Sequence, residues 1–194
     1  METLFNLSAT LKVGVLGLGF RGLPQLELLL NMPDVNVCAI YDSYEDRRAE
    51  AVRRFELKNK PLPLNAGDID EFFNCEMDAV VIMTGWQSHI PLALRAMDRG
   101  IRVGLEVGGA NSVQECFELV KKSEETGVPV MLLENCCYGE KEMALLNMIR
   151  KGLFGEIVHC EGAYAHDLRD EIGLGDKNRH YRQDNFMHRN GELY

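Results

Sequence analysis

Apolar and polar positions follow two rhythms along this chain. Short, mainly apolar runs at residues 12–18, 35–41, 78–83, 101–107 and 129–134 have the length and β-branched content of buried strands. Between them apolar residues recur at helical spacing, as with Leu23, Leu26, Leu29 and Leu30. The spacing predicts helices over 21–31, 44–55, 68–74, 91–99, 112–126 and 140–151. Ser112-Val113-Gln114-Glu115 has the form of a capping box, and Gly127 stands where that helix should end. Residues 58–67 form a loop with two prolines and room for a short third strand. A further strand is expected at 157–164. Strand runs alternating with helices imply a parallel sheet of right-handed βαβ units, a doubly wound α/β fold.

After residue 165 this alternation stops. Residues 166–194 hold few apolar positions and many Asp, Arg, His and Gly residues. One helix and one strand beyond residue 139 are too little for a second domain. The chain is therefore expected to divide into a complete doubly wound domain over 1–134 and the opening of a second, truncated α/β domain over 135–194.

Composition narrows the function classes. Of 194 residues, 46% are apolar and 26% charged, which fits a globular protein with a real core and excludes a disordered one. The formal charge of −9 argues against nucleic-acid binding. No apolar run approaches the ~20 residues needed to cross a bilayer. The first ten residues carry Glu2 and no Lys or Arg, unlike an export leader, so a cytoplasmic location is expected. The six cysteines, at 38, 75, 116, 136, 137 and 160, have no Cys-x-x-Cys spacing. No metal site is expected, and reduced thiols fit best, with Cys38 and Cys160 as small apolar strand residues.

Candidate chemistry begins at Gly17-Leu18-Gly19-Phe20-Arg21-Gly22, which closes the first strand and opens the first helix. In that setting the first glycine permits a tight turn. The second lets the main chain approach a pyrophosphate, and the third lets helix and strand pack closely. The helix N-terminus offers N–H groups and partial positive charge to phosphates. A merely tight β–α turn would satisfy the glycines as well. Asp42 shifts the balance: it ends the second strand, 20 residues after Gly22, where a carboxylate can accept hydrogen bonds from the adenosine ribose. A carboxylate there repels a 2′-phosphate and so favours NAD over NADP. Arg47 and Arg48 stand close enough to keep NADP as the alternative, with a solvated helix face as their simpler role. Further loops at strand ends carry polar groups toward the same crevice. These are Thr84-Gly85-Trp86-Gln87-Ser88-His89, then Glu106-Val107-Gly108-Gly109, then Glu134-Asn135.

The first 165 residues resemble the glucose–fructose oxidoreductase and inositol dehydrogenase superfamily (Gfo/Idh/MocA). Four strings resemble, more narrowly, glycoside hydrolase family 109. They are Leu133-Glu134-Asn135-Cys136-Cys137-Tyr138, the run from Lys151 to His159, the run from Glu161 to Arg169, and the run from His188 to Tyr194. That resemblance implies an NAD-dependent α-N-acetylgalactosaminidase. The sugar is oxidised at C3, the aglycone is eliminated, water adds, and the alcohol is restored. It would also explain the lack of an obvious carboxylate pair, since NAD-dependent glycosidases are exceptions to that rule. Carried over by position, Gly17, Gly19, Phe20, Arg21, Gly22, Asp42, Trp86, Gln87, Ser88, His89, Glu106, Val107 and Asn135 are implied cofactor contacts. Tyr164, Arg182, Tyr194 and Glu134 are implied sugar contacts, with Tyr164 and His166 as catalytic candidates. A core tyrosine is the plain alternative for Tyr164, and His159, His180 and His188 read as structural or tail residues.

The chain departs from these patterns twice. Sugar dehydrogenases of the superfamily usually carry Glu-Lys-Pro where this chain has Glu106-Val107-Gly108, so their lysine is missing. The family continues after Tyr194 with Pro-Thr-His-Gly, whose histidine is a catalytic candidate there. The expectation is therefore an NAD-dependent glycosidase whose 194-residue chain binds NAD but turns over little glycoside. Its implied partners are a glycoside and further copies of the chain, joined through the second-domain sheet. A sugar oxidoreductase and a dinucleotide-binding protein without turnover are the alternatives.

Overall fold

The computed structural model describes residues 10–163, 165, 167, 169 and 179. Tyr164, His166, Arg182 and Tyr194 lie outside the described residues, as do His180 and His188.

Six strands form one parallel sheet in the order β3-β2-β1-β4-β5-β6. β1 (Leu11–Leu16) lies between β2 (Val35–Tyr41) and β4 (Ala79–Ile82). β3 (Leu64–Asn65) extends the sheet beyond β2, while β5 (Arg102–Leu105) and β6 (Val130–Leu132) extend it beyond β4. The predicted strands through residue 134 are all present. β2 keeps its expected bounds, β1 starts one residue earlier and ends two sooner, and β4, β5 and β6 are shorter at both ends. Strand order reverses between β1 and β4, and open α/β sheets place their ligand crevice at such a point.

Two cores flank the sheet because strands of this kind are buried on both faces. One gathers Leu26 and Leu30 of α1 (Gly22–Asn31) and Ala51 and Phe55 of α2 (Glu45–Leu57) against Val15, Val37 and Ile40. The other packs Phe72 and Phe73 of α3 (Ile69–Asn74) and Ile90, Ala93 and Met97 of α4 (Trp86–Met97) against Val80, Ile82, Val103 and Leu105. α5 (Val113–Thr126) starts as its capping box predicts: the Glu115 N–H donates to Ser112 Oγ at 3.1 Å. Gly127 ends it, its N–H donating to Ser123 O at 2.9 Å. α6 (Glu140–Arg150) follows β6 and, like α5, has no fully buried residue.

Three expectations need correction. α4 begins at Trp86, five residues before the predicted start, because Gly85 serves as its N-cap and Pro91 is accommodated inside the helix. Residues 157–163 form no strand, because a strand exists only through a partner and none of the six strands pairs with this run; Val158 is 89% exposed. Cys160, expected in that strand, is exposed for the same reason, while Cys38 in β2 is half-buried. All six cysteines are free thiols.

Candidate functional site

The loops after β1, β2, β4 and β5 converge at the carboxyl edge of the sheet. The turn after β1 is possible only for glycine. Gly17 has φ +88°, and a Cβ there would sit 2.5 Å from the Met83 carbonyl oxygen. A Cβ on Gly22 would overlap the Gly17 carbonyl oxygen, so the helix start presses directly on the strand end. Gly19 is more open and faces the Arg47 guanidinium. The result is a main-chain cradle at the N-terminus of α1, where the helix dipole favours an anion; in its first turn the Leu23 and Gln25 N–H groups donate to the Gly19 and Arg21 carbonyl oxygens. Phe20, 88% exposed, projects from the turn.

Asp42 is buried beside that cradle. One carboxylate oxygen accepts from the Leu18 N–H at 2.7 Å, and the other accepts from the Tyr44 N–H at 2.9 Å. A carboxylate has about four lone-pair directions, so these two bonds orient it and leave capacity for a ligand's hydroxyls. Arg48 Nη1 donates to the Asp42 carbonyl oxygen at 2.5 Å, and Arg47 Nη1 lies 3.6 Å from Asp42 Oδ2. Arg47, expected to be a solvated face residue or a 2′-phosphate contact, therefore lines the site itself, between Gly19 and Asp42.

On the β4–β5 side, the first turn of α4 is tied inward. Thr84 Oγ1 and Ser88 Oγ share a hydrogen bond of 2.7 Å, and Ser88 Oγ donates to Gly85 O at 2.7 Å. His89 is fully buried, with Nε2 2.9 Å from Thr84 O and Nδ1 without a hydrogen-bond partner among the described residues. Burial holds its pKa below the ordinary histidine value, against the opposing pull of Thr84 O and Glu106. His89 thus braces the loop behind the site, while Gln87 is exposed. Trp86 is nearly buried and lies on Gly108, where any Cβ would overlap its indole. Asn111 Nδ2 donates to the Trp86 carbonyl at 3.3 Å, closing the contact between the two loops.

Glu106 links this side to the glycine turn. Its Oε2 accepts from Arg21 Nε at 3.3 Å, and its Oε1 accepts from the Val107 N–H at 3.1 Å. Glu134 and Asn135 follow β6 on the same edge of the sheet and are exposed. The implied cofactor residues thus fall on the strand ends, from the β1 turn to the segment after β6. The sugar candidates Tyr164, His166, Arg182 and Tyr194 belong to the part of the chain outside the described residues. Sequence reading missed the Trp86–Gly108 contact, which a lone Trp and a Gly-Gly pair do not announce. Among the described residues, no group of three or more His, Cys, Asp or Glu side chains is placed to hold a metal ion, and no helix is long and apolar enough to cross a membrane.

Residues 11–133 match the family model "Oxidoreductase family, NAD-binding Rossmann fold" (Gfo/Idh/MocA), and residues 138–194 match "Glycosyl hydrolase 109, C-terminal domain". A glycosyl hydrolase family 109 protein of Streptomyces filamentosus is 40% identical over 86% of this chain and 35% of its own length. One from Solibacter usitatus is 36% identical over 98% of this chain and 45% of its own length. The chain thus spans less than half of these relatives. Among solved structures, an Agrobacterium radiobacter oxidoreductase in complex with NAD+, L-tartaric acid and magnesium superposes with TM-score 0.68 at 23% identity. The overlap covers 76% of this chain and 42% of that one. Apo scyllo-inositol dehydrogenase from Lactobacillus casei gives TM-score 0.69 at 16% identity, over 77% and 44% of the two chains. At these identities the structural likeness establishes the fold.

Proposed function

The chain belongs to the Gfo/Idh/MocA oxidoreductase family with the NAD-binding Rossmann fold, and on that premise we propose that it binds NAD(H) in the service of glycoside cleavage. The observation that carries the reading is the joined pair of glycine turn and Asp42. The turn has no side chain at Gly17 or Gly22, so a pyrophosphate can approach its main chain beside the positive end of α1, and Asp42 is anchored to the same turn through Leu18. The residues present fit the dinucleotide: a turn that admits no side chain at Gly17 or Gly22, next to an oriented buried carboxylate.

When bound, NAD supplies hydride acceptance from a sugar carbon and its later return. The protein's part is placement. Asp42 takes the adenosine ribose hydroxyls on its remaining lone pairs. The α1 N-terminus neutralises phosphate charge, and Arg21, fixed by Glu106, holds the turn to the β5 loop. Trp86, seated on Gly108 and backed by the Thr84–Ser88–His89 bonds, walls the nicotinamide end. Tyr164 and His166 are proposed to act on the sugar, with Arg182, Tyr194 and Glu134 binding it. Two findings support the glycosidase reading over a plain dehydrogenase: the family 109 likeness of residues 138–194, and a Val107-Gly108 loop without the dehydrogenase lysine.

The test is hydrolysis of a chromogenic α-N-acetylgalactosaminide with and without NAD+. It is run on the 194-residue chain and on the chain joined to the residues by which the relatives exceed it. The reading expects NAD binding by both and NAD-dependent release of the chromophore, without net NADH, by the longer protein. Net accumulation of NADH would replace it with a sugar oxidoreductase, because a glycosidase returns its hydride. Binding without turnover by either protein would leave a dinucleotide-binding protein.

A further inference from the structure

Arg179 stands 132 residues beyond Arg47 in sequence yet meets the start of α2 through several contacts. Its guanidinium grips the Asp46 carboxylate with two bonds, Nη1 to Oδ1 at 3.0 Å and Nη2 to Oδ2 at 2.7 Å. The same guanidinium stacks on the Tyr44 ring, 4.4 Å from its centroid, and Arg47 also stacks on that ring at 4.6 Å. The main-chain carbonyl of Arg179 accepts from Arg47 Nη2 at 3.3 Å. Arg47 in turn separates Asp42 from Gly19: its Nη1 is 3.6 Å from Asp42 Oδ2 and would lie 3.2 Å from a Cβ on Gly19. Arg179 therefore ends a chain of contacts that runs through Tyr44 and Arg47 to the carboxylate of the site.

We propose that Arg179 is a positioning residue for the adenosine end of the dinucleotide site, holding Tyr44 and Arg47 as a fixed wall beside Asp42 so that bound NAD(H) leaves slowly. The proposal rests on the dinucleotide reading of Asp42 and the glycine turn. An arginine side chain loses considerable rotamer freedom when fixed, and an unanchored Arg47 would bear that loss only on binding. A forked guanidinium–carboxylate pair has a direction that a single lysine contact lacks, and ring stacking adds to it. The pair is solvent-exposed, so its contribution is modest and sensitive to salt. Removing it should speed cofactor release by about fivefold, the size expected of one exposed ion pair with one exposed stacking contact.

Stopped-flow displacement of NADH from the 194-residue chain reads this directly. Arg179→Ala should raise the off-rate about fivefold, Asp46→Asn, which leaves the stacking on Tyr44, should raise it by less, and the double variant should be no faster than Arg179→Ala alone. Arg179→Lys should recover part of the loss. High salt should bring the wild type toward Arg179→Ala and leave that variant nearly unchanged. Amide exchange across residues 42–48, measured without cofactor, should quicken in Arg179→Ala. Unchanged or slower NADH release in Arg179→Ala, from a wild type that binds NADH, overturns the proposal and spares the dinucleotide reading. No NADH binding by the wild type overturns both. Unchanged exchange at 42–48 then shows that the contact itself is absent.

Discussion

Gly108→Ala is the sharpest structural perturbation of the site. Gly108 has φ +99°, and a Cβ built there falls on Nε1, Cε2 and Cδ1 of Trp86, far inside the about 3.5–4.0 Å of an ordinary contact. Two costs add. Holding an alanine in that backbone region costs about 1–3 kcal/mol, and pushing the indole aside costs about 1–3 kcal/mol of overpacking. Gly109→Ala is the matched control, because Gly109 also has positive φ (+24°) but nothing within 4 Å of its Cβ position. The difference between the two variants isolates the indole contact, at about 1–3 kcal/mol. With a urea slope of about 2 kcal/mol per molar, it should lower the unfolding midpoint by roughly 0.5–1.5 M relative to Gly109→Ala. Trp86 is the only tryptophan and is 8% exposed, so its emission should be blue-shifted in the native protein. In Gly108→Ala the emission should move to the red before global unfolding. Equal midpoints for the two variants with an unmoved emission maximum would refute the packing of Trp86 on Gly108.

Two further expectations concern stability. Ser112→Ala removes the bond from the Glu115 N–H that caps α5 and should cost about 1 kcal/mol in a urea melt, with Ser112→Asp close to wild type. His89, kept below the ordinary histidine pKa by burial, stays neutral while the unfolded chain takes up its proton near pH 6.5. Its neutral burial is therefore fully stabilising above that pH. Stability is then lost as pH falls toward the native value, at no more than about 1.4 kcal/mol per pH unit. His89→Gln should flatten that part of the pH–stability profile, and an identical profile in the variant would exclude His89 as its source.

The sheet was legible because each strand run is bounded by turn residues and each long helix by its own spacing or caps. Ser112 with Glu115 marked the start of α5, and Gly127 marked its end. α4 was misplaced because proline favours the first turn of a helix, whereas here Pro91 sits deeper and Gly85 makes the cap. Residues 157–163 carry a strand-like composition, but composition does not supply the neighbouring strand that would pair with them. At the site, Asp42 and the glycines could be read from spacing because strand order fixes where β1 and β2 end. The roles of Arg47 and Gly108 could not, since each depends on a group from elsewhere in the chain: the Asp42 carboxylate and the Arg179 carbonyl for the one, the Trp86 indole for the other. His89 lies in the loop implied as a cofactor contact, and its burial makes it a brace behind that loop.

Titration of the 194-residue chain with NADH and NADPH, followed by quenching of Trp86 emission and by calorimetry, reads the cofactor preference of the site. Saturable NADH binding is expected to be at least about tenfold tighter than NADPH binding, a difference of roughly 1.4 kcal/mol, because the anchored Asp42 carboxylate should accept ribose hydroxyls and repel a 2′-phosphate. Asp42→Ala should narrow that gap by weakening NADH more than NADPH. Equal or tighter binding of NADPH by the wild type, or a gap unmoved by Asp42→Ala, would contradict that reading of Asp42.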